Sequence, residues 1–383
     1  MVLYLTRARG GTLVVPALYG GCAVFAAVTA TVTRLAPHRT WGTVAALAYV
    51  LGALTALHPW GRGRPAIVAG GVLAGAVLIP LAVLIGLGQA QPEVEVVQRS
   101  AAHLLEHGTP YLGAAEVAAH GGYEAFNPYL PGMALLGLPW AIAGIDARAV
   151  FGGIFLVLLA ASALRKDSRL LLLAASPLVA LPLVVGGDDL PVIGLVCVGL
   201  ALAVRGRPGS AGLALGIAAT LKATAWPALL IVLVLVGVRN RRRYGAFAGG
   251  VLAVGVLLPA LIDPHGFLLN VVQFPLGLAG VESPAASPLP GRLLADLGPY
   301  GHTAALVLLG LAALGMGVSL LVRPPADARS AAYRLALGLL LATALMPATR
   351  WGYLVYPAVL ALWAHLAAPA MAEQEEEELC LVA

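Results

Sequence analysis

The chain has 383 residues, of which 60% are hydrophobic and 11% charged, and its mean hydropathy is +0.91. Repeated apolar runs of roughly 17–25 residues, the length that crosses a bilayer, exclude a soluble globular domain. The net charge of +5 lies in short loops between those runs, where it indicates membrane topology and not a nucleic-acid footprint. Membrane lipids are therefore expected partners, and nucleic acid is not.

The apolar runs predict an all-α polytopic membrane protein with about 12 transmembrane helices. Ala, Gly, Leu and Val dominate, and Arg supplies most of the positive charge. This usage indicates a bacterial chain, so the expected location is the bacterial plasma membrane. The predicted spans are 12–33, 41–58, 66–89, 147–164, 169–187, 189–204, 209–222, 225–238, 244–263, 302–322, 329–347 and 351–368.

Arginine and lysine in the short loops set the predicted orientation, because these residues concentrate on the cytoplasmic side. The basic loops are 62–64, 165–169, 205–207, 239–243 and 323–329. Both termini are then cytoplasmic and the other loops face outward. They include a first outer loop over residues 90–145 and a second over residues 264–301.

Two segments complicate this scheme. Residues 129–144 should not cross, because crossing would put 165–169 outside, and the segment is only about 24 Å long with prolines in it. We expect a re-entrant or interfacial helix there. Residues 209–238 would measure about 45 Å as one helix, so two short spans turning near Lys222 are expected.

The expected organisation is a single transmembrane domain over residues 1–370 followed by an acidic cytoplasmic tail over 371–383. The tail carries Glu373 and the run Glu375–Glu378, which is typical of a solvated charge run.

The scheme collects polar residues on the outer face, several of them beside or within apolar runs. Charges in such places are costly and are functional candidates. We expect the loops that carry them to converge on one pocket, where a carboxylate can act as a base and cations can hold a phosphate. The set is Glu93, Glu95, Arg99, Glu106, Asp188, Asp189, Lys222, Asp263, His265, Glu282, Arg292, Asp296 and Arg350.

Several short motifs mark these outer loops. They are the helical stretch from Glu93 that closes with Gly108-Thr-Pro-Tyr111, then Phe126-Asn-Pro-Tyr-Leu-Pro131, Gly186-Gly-Asp-Asp-Leu190, Leu221-Lys-Ala-Thr-Ala-Trp-Pro227 and Arg350-Trp-Gly-Tyr-Leu-Val355. Over residues 70–370 they resemble motifs of the GT-C membrane glycosyltransferases. Within that group the chain is most similar to the actinobacterial polyprenyl-phosphate-mannose-dependent mannosyltransferase branch, the GT87 or DUF2029-like proteins.

The resemblance implies a GT-C-like fold with outer-face loop helices and an inverting glycosyltransferase. The donor would be a polyprenyl-phosphate sugar, carrying mannose or another hexose or a pentose, and the acceptor a lipid-linked or cell-envelope glycan. The family's catalytic Asp falls on Glu93, the expected general base. The expected substrate and phosphate contacts are Lys222, Arg292, Arg350, Asp188, Asp189, Glu95, Arg99, Tyr111 and Asn127.

No cofactor and no metal ligand are assigned in this scheme, although the paired acids leave room for a divalent metal. His103-Leu-Leu-Glu106-His107 has the inverted zincin spacing, with two imidazoles one helical turn apart. No third ligand is apparent at a convincing spacing. The favoured interpretation is an amphipathic helix with exposed histidines, and a zinc peptidase is the alternative.

Departures from the family pattern leave other functions open. Glu93 stands where the family has Asp, and two additional spans precede the first loop. A transporter or flippase for a lipid-linked sugar or an amphipathic solute would also use broken spans and intramembrane charges. A non-catalytic membrane scaffold would retain the apolar runs without needing Glu93. Structural roles are open as well: a first-turn acid for Glu93, a helix cap for Asp188–Asp189 and snorkelling for Lys222.

Overall fold

The computed structural model describes residues 13–164, 169–281 and 283–366. The described residues are mainly helical, and their one isolated extended pairing joins Ala286 to Thr349. The expected all-α polytopic membrane fold is confirmed. The predicted acidic tail and Glu282 lie outside the described residues.

The principal helices follow one another along the chain with short connections. They are α1 (Val14–Val32), α2 (Ala36–Leu57), α3 (Pro65–Gly86), α4 (Pro92–His107), α5 (Ala114–His120), α6 (Met133–Ala143), α7 (Ala147–Ala161), α8 (Arg169–Ala175), α9 (Pro177–Val185), α10 (Leu190–Val204), α11 (Pro208–Leu221), α12 (Trp226–Leu235), α13 (Gly237–Ile262), α14 (Pro290–Ala295), α15 (Pro299–Val322), α16 (Ala328–Leu345) and α17 (Val355–Leu366). Short helical turns lie at Pro59–Arg62, Tyr123–Ala125, Ala223–Ala225, Pro264–Phe267, Leu268–Gln273 and Trp351–Leu354.

Five of these helices, α1, α2, α3, α13 and α15, are long and apolar enough to cross a membrane. They have 19 to 26 residues, which is roughly 28–39 Å of helix. Shorter apolar helices fall on the predicted spans 147–164, 189–204, 209–222, 225–238 and 351–368. The count of about 12 crossings stays a prediction.

Two compact units make up the chain. The first contains Met1–Glu95 and Asp167–Leu190, and the second contains Val96–Lys166 and Pro191–Ala383. The boundary passes through the first turn of α4 and the start of α10.

A proline and a tryptophan shape the first unit. Pro80 has no N–H to donate to the Ala76 carbonyl, and α3 forms a π-helical turn over Ala74–Leu78 just before it. The buried Trp41 indole N–H donates to the Ala76 oxygen at 2.9 Å. The carbonyl exposed by the proline is thereby satisfied, and α2 is tied to α3.

The second unit contains the expected break in the 209–238 segment. Helix α11 ends at Leu221, and Lys222 takes an extended conformation with φ −146° and ψ 145°. Helix α12 begins at Trp226. Two short helices instead of one long helix are therefore confirmed.

The arginine cluster 239–243 differs from the sequence prediction. It was expected as a loop, but it forms the early turns of α13, which begins at Gly237 with φ +72°. Hydropathy marks only the apolar centre of a helix, whereas backbone hydrogen bonds continue beyond the bilayer wherever the next turn is unobstructed.

Segments next to the predicted loops contact one another within the second unit. Arg205 donates to the Ala163 carbonyl at 2.6 Å at the end of the predicted span 147–164, and the Trp363 indole N–H in the predicted span 351–368 donates to the Ser162 hydroxyl at 2.8 Å. Residues 165–168 of the predicted cytoplasmic loop lie outside the described residues. The predicted outer segments also meet, as the site geometry shows. The grouping of the loops on two faces and the side of the membrane both stay predictions.

The 129–144 segment is helical only over α6, about 16 Å long. Before it, the Leu130 and Gly132 N–H groups donate to the Leu221 and Thr220 carbonyls at 3.1 and 3.0 Å. These carbonyls belong to the last turn of α11, whose oxygens lack partners within the helix. The segment is thereby attached to the end of α11 by main-chain bonds, and its failure to cross the membrane stays a prediction.

Candidate functional site

In the first unit, the segment that leads into Glu93 is fixed against the Gly186–Asp189 turn. The Gln91 N–H donates to the Val185 carbonyl at 2.9 Å. A Cβ added to Gly186 would lie 2.6 Å from the Gln91 side-chain oxygen, so the glycine permits this close approach. Two motifs that are distant in sequence are therefore neighbours.

The two first-turn acids of α4 have different environments. Glu93 is half-buried and Glu95 is exposed. Residues two apart in a helix point about 200° away from each other, which separates the two carboxylates. Asp188 is buried and Asp189 half-buried in the turn before α10. Glu93 and Asp188 are therefore the more enclosed member of each acidic pair.

In the second unit, two buried asparagines tie the first outer loop to the second. The Asn127 N–H donates to the Asn270 side-chain oxygen at 2.9 Å. The Asn127 side chain donates to the Pro110 carbonyl and accepts from the Tyr129 N–H. Asn270 donates in turn to the carbonyls of Leu112 and Gly266. Main-chain partners thus occupy both amides, which favours a positioning role for Asn127.

Thr109 and Tyr111 extend this polar network. The Thr109 hydroxyl donates to the Asp263 carboxylate at 2.7 Å. The buried Tyr111 hydroxyl donates to the Tyr129 carbonyl at 3.0 Å. Burial, and secondarily the Asp263 carboxylate, raise the pKa of the Tyr111 phenol, so Tyr111 acts as a neutral donor.

Lys222 joins the same network at the break between α11 and α12. Its ammonium lies over the Tyr129 ring, 4.7 Å from the ring centroid, within the range of a cation–π interaction. The structure thus brings together three predicted site residues, Tyr111, Asn127 and Lys222, around Tyr129.

Arg292 and Arg350 lie on two segments that pair with each other. Ser287 N–H donates to the Thr349 carbonyl at 2.9 Å, and Trp351 N–H donates to the Ser287 hydroxyl at 3.1 Å. Arg292 forms an ion pair with Asp296 at 2.8 Å and lines a cavity of about 350 Å³ that Ser283 also lines. Both arginines are half-buried.

Arg99 contacts the main chain of its own loop. Its guanidinium donates to the Glu124 carbonyl at 2.6 Å and to the Ala125 carbonyl at 3.3 Å. These contacts connect α4 to the turn before Phe126 and favour a loop-positioning role for Arg99.

The His103-Leu-Leu-Glu106-His107 helix face differs from the sequence prediction. His103 is buried, not exposed, because α4 packs against the loop that follows it. His103 Nδ1 lies 2.7 Å from the Thr109 carbonyl oxygen, and its Nε2 lies 3.3 Å from Glu116 on α5. His107 is exposed, as expected. The Gly113 N–H is the main reason that the pKa of Glu116 is lowered.

Sequence reasoning missed Thr109, Tyr129, Asn270 and Glu116. Asn270 had one available signal, since it is a lone amide in the apolar stretch Gly266-Phe-Leu-Leu-Asn-Val-Val272. Thr109 and Tyr129 lie within the quoted motifs Gly108–Tyr111 and Phe126–Pro131 but were not singled out. Glu116 gave no signal, because its partner His103 lies on another helix and no spacing rule connects them.

The site residues therefore form three groups: the Glu93 and Asp188–Asp189 segments, the Tyr129-centred network with Lys222, and the paired Arg292 and Arg350 segments. The first group supplies carboxylates for proton transfer, and the others supply cations for a phosphate. Their convergence on one pocket stays a prediction.

Comparison with known protein families places the chain in a family. The model of glycosyltransferase family 87 matches residues 126–349, more than half of the chain. The match includes Asn127, Lys222 and Arg292, begins after Glu93 and ends directly before Arg350. No curated protein and no solved structure matches the chain.

Proposed function

The chain belongs to glycosyltransferase family 87, and from this membership we propose an inverting glycosyltransferase that uses a polyprenyl-phosphate sugar donor. The transferred sugar is mannose or another hexose or a pentose. The acceptor is a lipid-linked or cell-envelope glycan, and the reaction takes place on the outer face of a bacterial plasma membrane, with both termini cytoplasmic. The family match is the observation that carries this proposal.

Glu93 is the proposed general base. Its carboxylate takes the proton of the acceptor hydroxyl as the acceptor oxygen bonds to the anomeric carbon. The bond from that carbon to the phosphate oxygen breaks, and the polyprenyl phosphate leaves with the electron pair. Attack from the face opposite the phosphate inverts the anomeric configuration.

The environment of Glu93 supports this choice over Glu95. Glu93 is half-buried whereas Glu95 is exposed, and a partly enclosed carboxylate can hold an acceptor away from bulk water. The bond from Gln91 to Val185 fixes the start of α4. Such anchoring suits a base that must be held within hydrogen-bond reach of one hydroxyl.

The departing phosphate needs cations, and Lys222 is the first candidate. It lies at a helix break within apolar sequence, where broken helices are tolerated if they line a cavity or pack in protein. Its cation–π contact with Tyr129 and the extended backbone hold the ammonium in one place. Preorganised charge of this kind stabilises a leaving group more than a mobile side chain does.

Arg350 and Arg292 are the other proposed phosphate partners. The pairing of residues 285–287 with Thr349 brings their segments together. A guanidinium binds phosphate through two parallel N–H donors. Asp188 and Asp189, with Glu95, are proposed to position the sugar or acceptor, and Arg99, Tyr111 and Asn127 to hold the loop over the substrates.

The test is a transfer assay with the full chain in detergent or membranes. Labelled polyprenyl-phosphate sugars are offered with cell-envelope glycolipid acceptors, and wild type is compared with Glu93→Gln and with Glu95→Gln as the matched control. We expect Glu93→Gln to lose about 10²–10⁴-fold in rate. Glu95→Gln removes only a proposed positioning contact and should lose much less. An inactive Glu95→Gln with an active Glu93→Gln would show that the base is the other acid.

Retention of activity by both variants would reject Glu93 as the base. Movement of labelled carrier between leaflets without any glycosyl transfer would instead favour a transporter or flippase. An absence of both activities with every donor offered would favour a scaffold.

A further inference from the structure

Three side chains outside the proposed sugar-transfer machinery lie close together at the junction of α4 and α5. They are His103 and His107 on α4 and Glu116 on α5. One potential ligand atom from each lies within 4.8 Å of the others. The histidines are four residues apart, which places them on one helix face, and their rings stack with centroids 4.2 Å apart.

The contact between His103 and the Thr109 carbonyl determines which imidazole nitrogen of His103 faces Glu116. A carbonyl only accepts, so the Nδ1 that lies 2.7 Å from the Thr109 oxygen carries the hydrogen. In the neutral ring the lone pair is then on Nε2, the nitrogen that lies 3.3 Å from the Glu116 carboxylate. Metal-bound histidines show this arrangement, with the second ring N–H donated to a carbonyl or carboxylate.

The spacing between His103 and Glu116 also suits a metal. Their facing atoms are 3.3 Å apart. Two ligand atoms on one tetrahedral Zn²⁺, each about 2.0–2.2 Å from the ion, are separated by about 3.3–3.5 Å. The other Glu116 oxygen accepts from the Gly113 N–H at 2.8 Å, which fixes the direction of the carboxylate.

We propose that His103, His107 and Glu116 bind a first-row transition metal ion, with Zn²⁺ as the preferred occupant. Two imidazoles and one carboxylate are a donor set that Zn²⁺ favours, and the remaining coordination position is left for water. The side chains of His107 and Glu116 are 53% and 48% exposed, so the ion can enter from solvent. This proposal does not depend on the proposed function.

The ion would fasten α5 to the end of α4 and close the Gly108–Gly113 connection. His103 holds the Thr109 carbonyl, and the Thr109 hydroxyl holds Asp263. The metal site is therefore one contact away from the polar network that contains Tyr111. It acts on the position of the loop, and none of its ligands is a proposed contact of the sugar or the phosphate.

A protonated His103 paired with Glu116 is the competing explanation of the short contact. It accounts for His103 and Glu116, and His107 then only stacks on the His103 ring and lies 4.0 Å from Glu106. The two explanations differ in their dependence on His107, because an ion pair does not need it and a metal site does.

The experiment measures Zn²⁺ binding by the purified full chain in detergent, after chelator treatment, against a chromophoric competitor. We expect one bound Zn²⁺ per chain. His107→Ala and Glu116→Gln should each weaken Zn²⁺ binding by about 100-fold or more. Mutation of a residue that only supports a metal ligand typically costs about 10–100-fold in metal affinity, and loss of a ligand should cost at least as much. The matched control is His120→Ala, an exposed neighbour on α5, which should bind as wild type does.

Co²⁺ substitution provides a second measurement that does not depend on activity. Wild type loaded with Co²⁺ should show visible absorption of a low-coordinate site, and His107→Ala should lose it. Because His103 is buried and its replacement can unfold the loop, the exposed ligands carry the test. Absence of bound Zn²⁺ in wild type, or equal binding by wild type, His107→Ala and Glu116→Gln, would overturn the proposal.

Discussion

The Thr109 hydroxyl donates to the Asp263 carboxylate at 2.7 Å and so joins the first predicted outer loop to the residue directly before the second one. Asp263 also caps the short helix that follows it, accepting from the Gly266 N–H at 2.9 Å. One carboxylate therefore serves two loops. The Thr109 carbonyl faces His103 at the same time, so both polar groups of Thr109 have partners.

Thr109→Val removes the donor to Asp263 while preserving the shape of the side chain. Because the carboxylate loses a charge-assisted partner, we expect the protein to be destabilised by about 1–3 kcal/mol. Thermal unfolding in detergent measures the change. The matched control is Thr303→Val, whose hydroxyl bonds only to Pro299 within α15. Equal melting temperatures of the two variants would contradict the prediction.

Glu93→Asp tests whether the base requires its full length. The start of α4 is fixed by the bond from Gln91 to Val185, so the backbone should not advance to compensate for the shorter side chain. A displacement of about 1 Å can cost about 100-fold in rate, and we expect a loss near that size in the transfer assay. Glu95→Asp is the control. Wild-type activity of Glu93→Asp would show that this distance is not limiting.

Lys222→Ala tests the proposed phosphate contact. Loss of a preorganised charge at the leaving group should reduce turnover roughly 100-fold or more, with the protein still folded as judged by gel filtration and thermal unfolding. Arg207→Ala, which removes an exposed cation from a predicted cytoplasmic loop, serves as the control. Near-normal turnover of Lys222→Ala would mean that the ammonium only snorkels toward the interface.

The topology prediction is tested by cysteine labelling in a background in which Cys22, Cys197 and Cys380 are replaced. Ala114→Cys and Ala286→Cys are exposed positions on the two predicted outer loops. An impermeant maleimide should label both on intact cells. Ala326→Cys, on a predicted cytoplasmic loop, should react only after permeabilisation. The reverse pattern would place the sugar-transfer site on the other side.

The helices of this chain could be predicted from sequence because each follows from the length and composition of one continuous segment. The break at Lys222 is an example, since the length of 209–238 and the charge within it both argue against one helix. The groups of loops follow from counting crossings and stay predictions. Helix ends were predicted less well, and α13 includes the basic stretch 239–243 because charged side chains do not terminate a helix.

The contacts within the site were less accessible to sequence reasoning. The motif spacing placed His103 and His107 on one helix face but could not show Glu116, which joins them only after the Gly108–Gly113 connection reverses the chain. Asn270 and Asp263 likewise reach the first loop from more than a hundred residues away. Such partners depend on how helices pack, and no local pattern encodes that.

The attachment of residues 130–132 to the end of α11 has a consequence for how this protein can diverge. Both bonds run from backbone N–H groups to backbone carbonyls. They therefore do not use the side chains at positions 130, 220 and 221. Relatives can therefore exchange these three buried side chains for others that fit the same space and still keep the loop in register with the helix. Proline at position 130 or 132 would remove a bond, because it has no N–H to donate. Any side chain at position 132 would also crowd Thr220, whose hydroxyl oxygen lies too close to the position of an added Cβ.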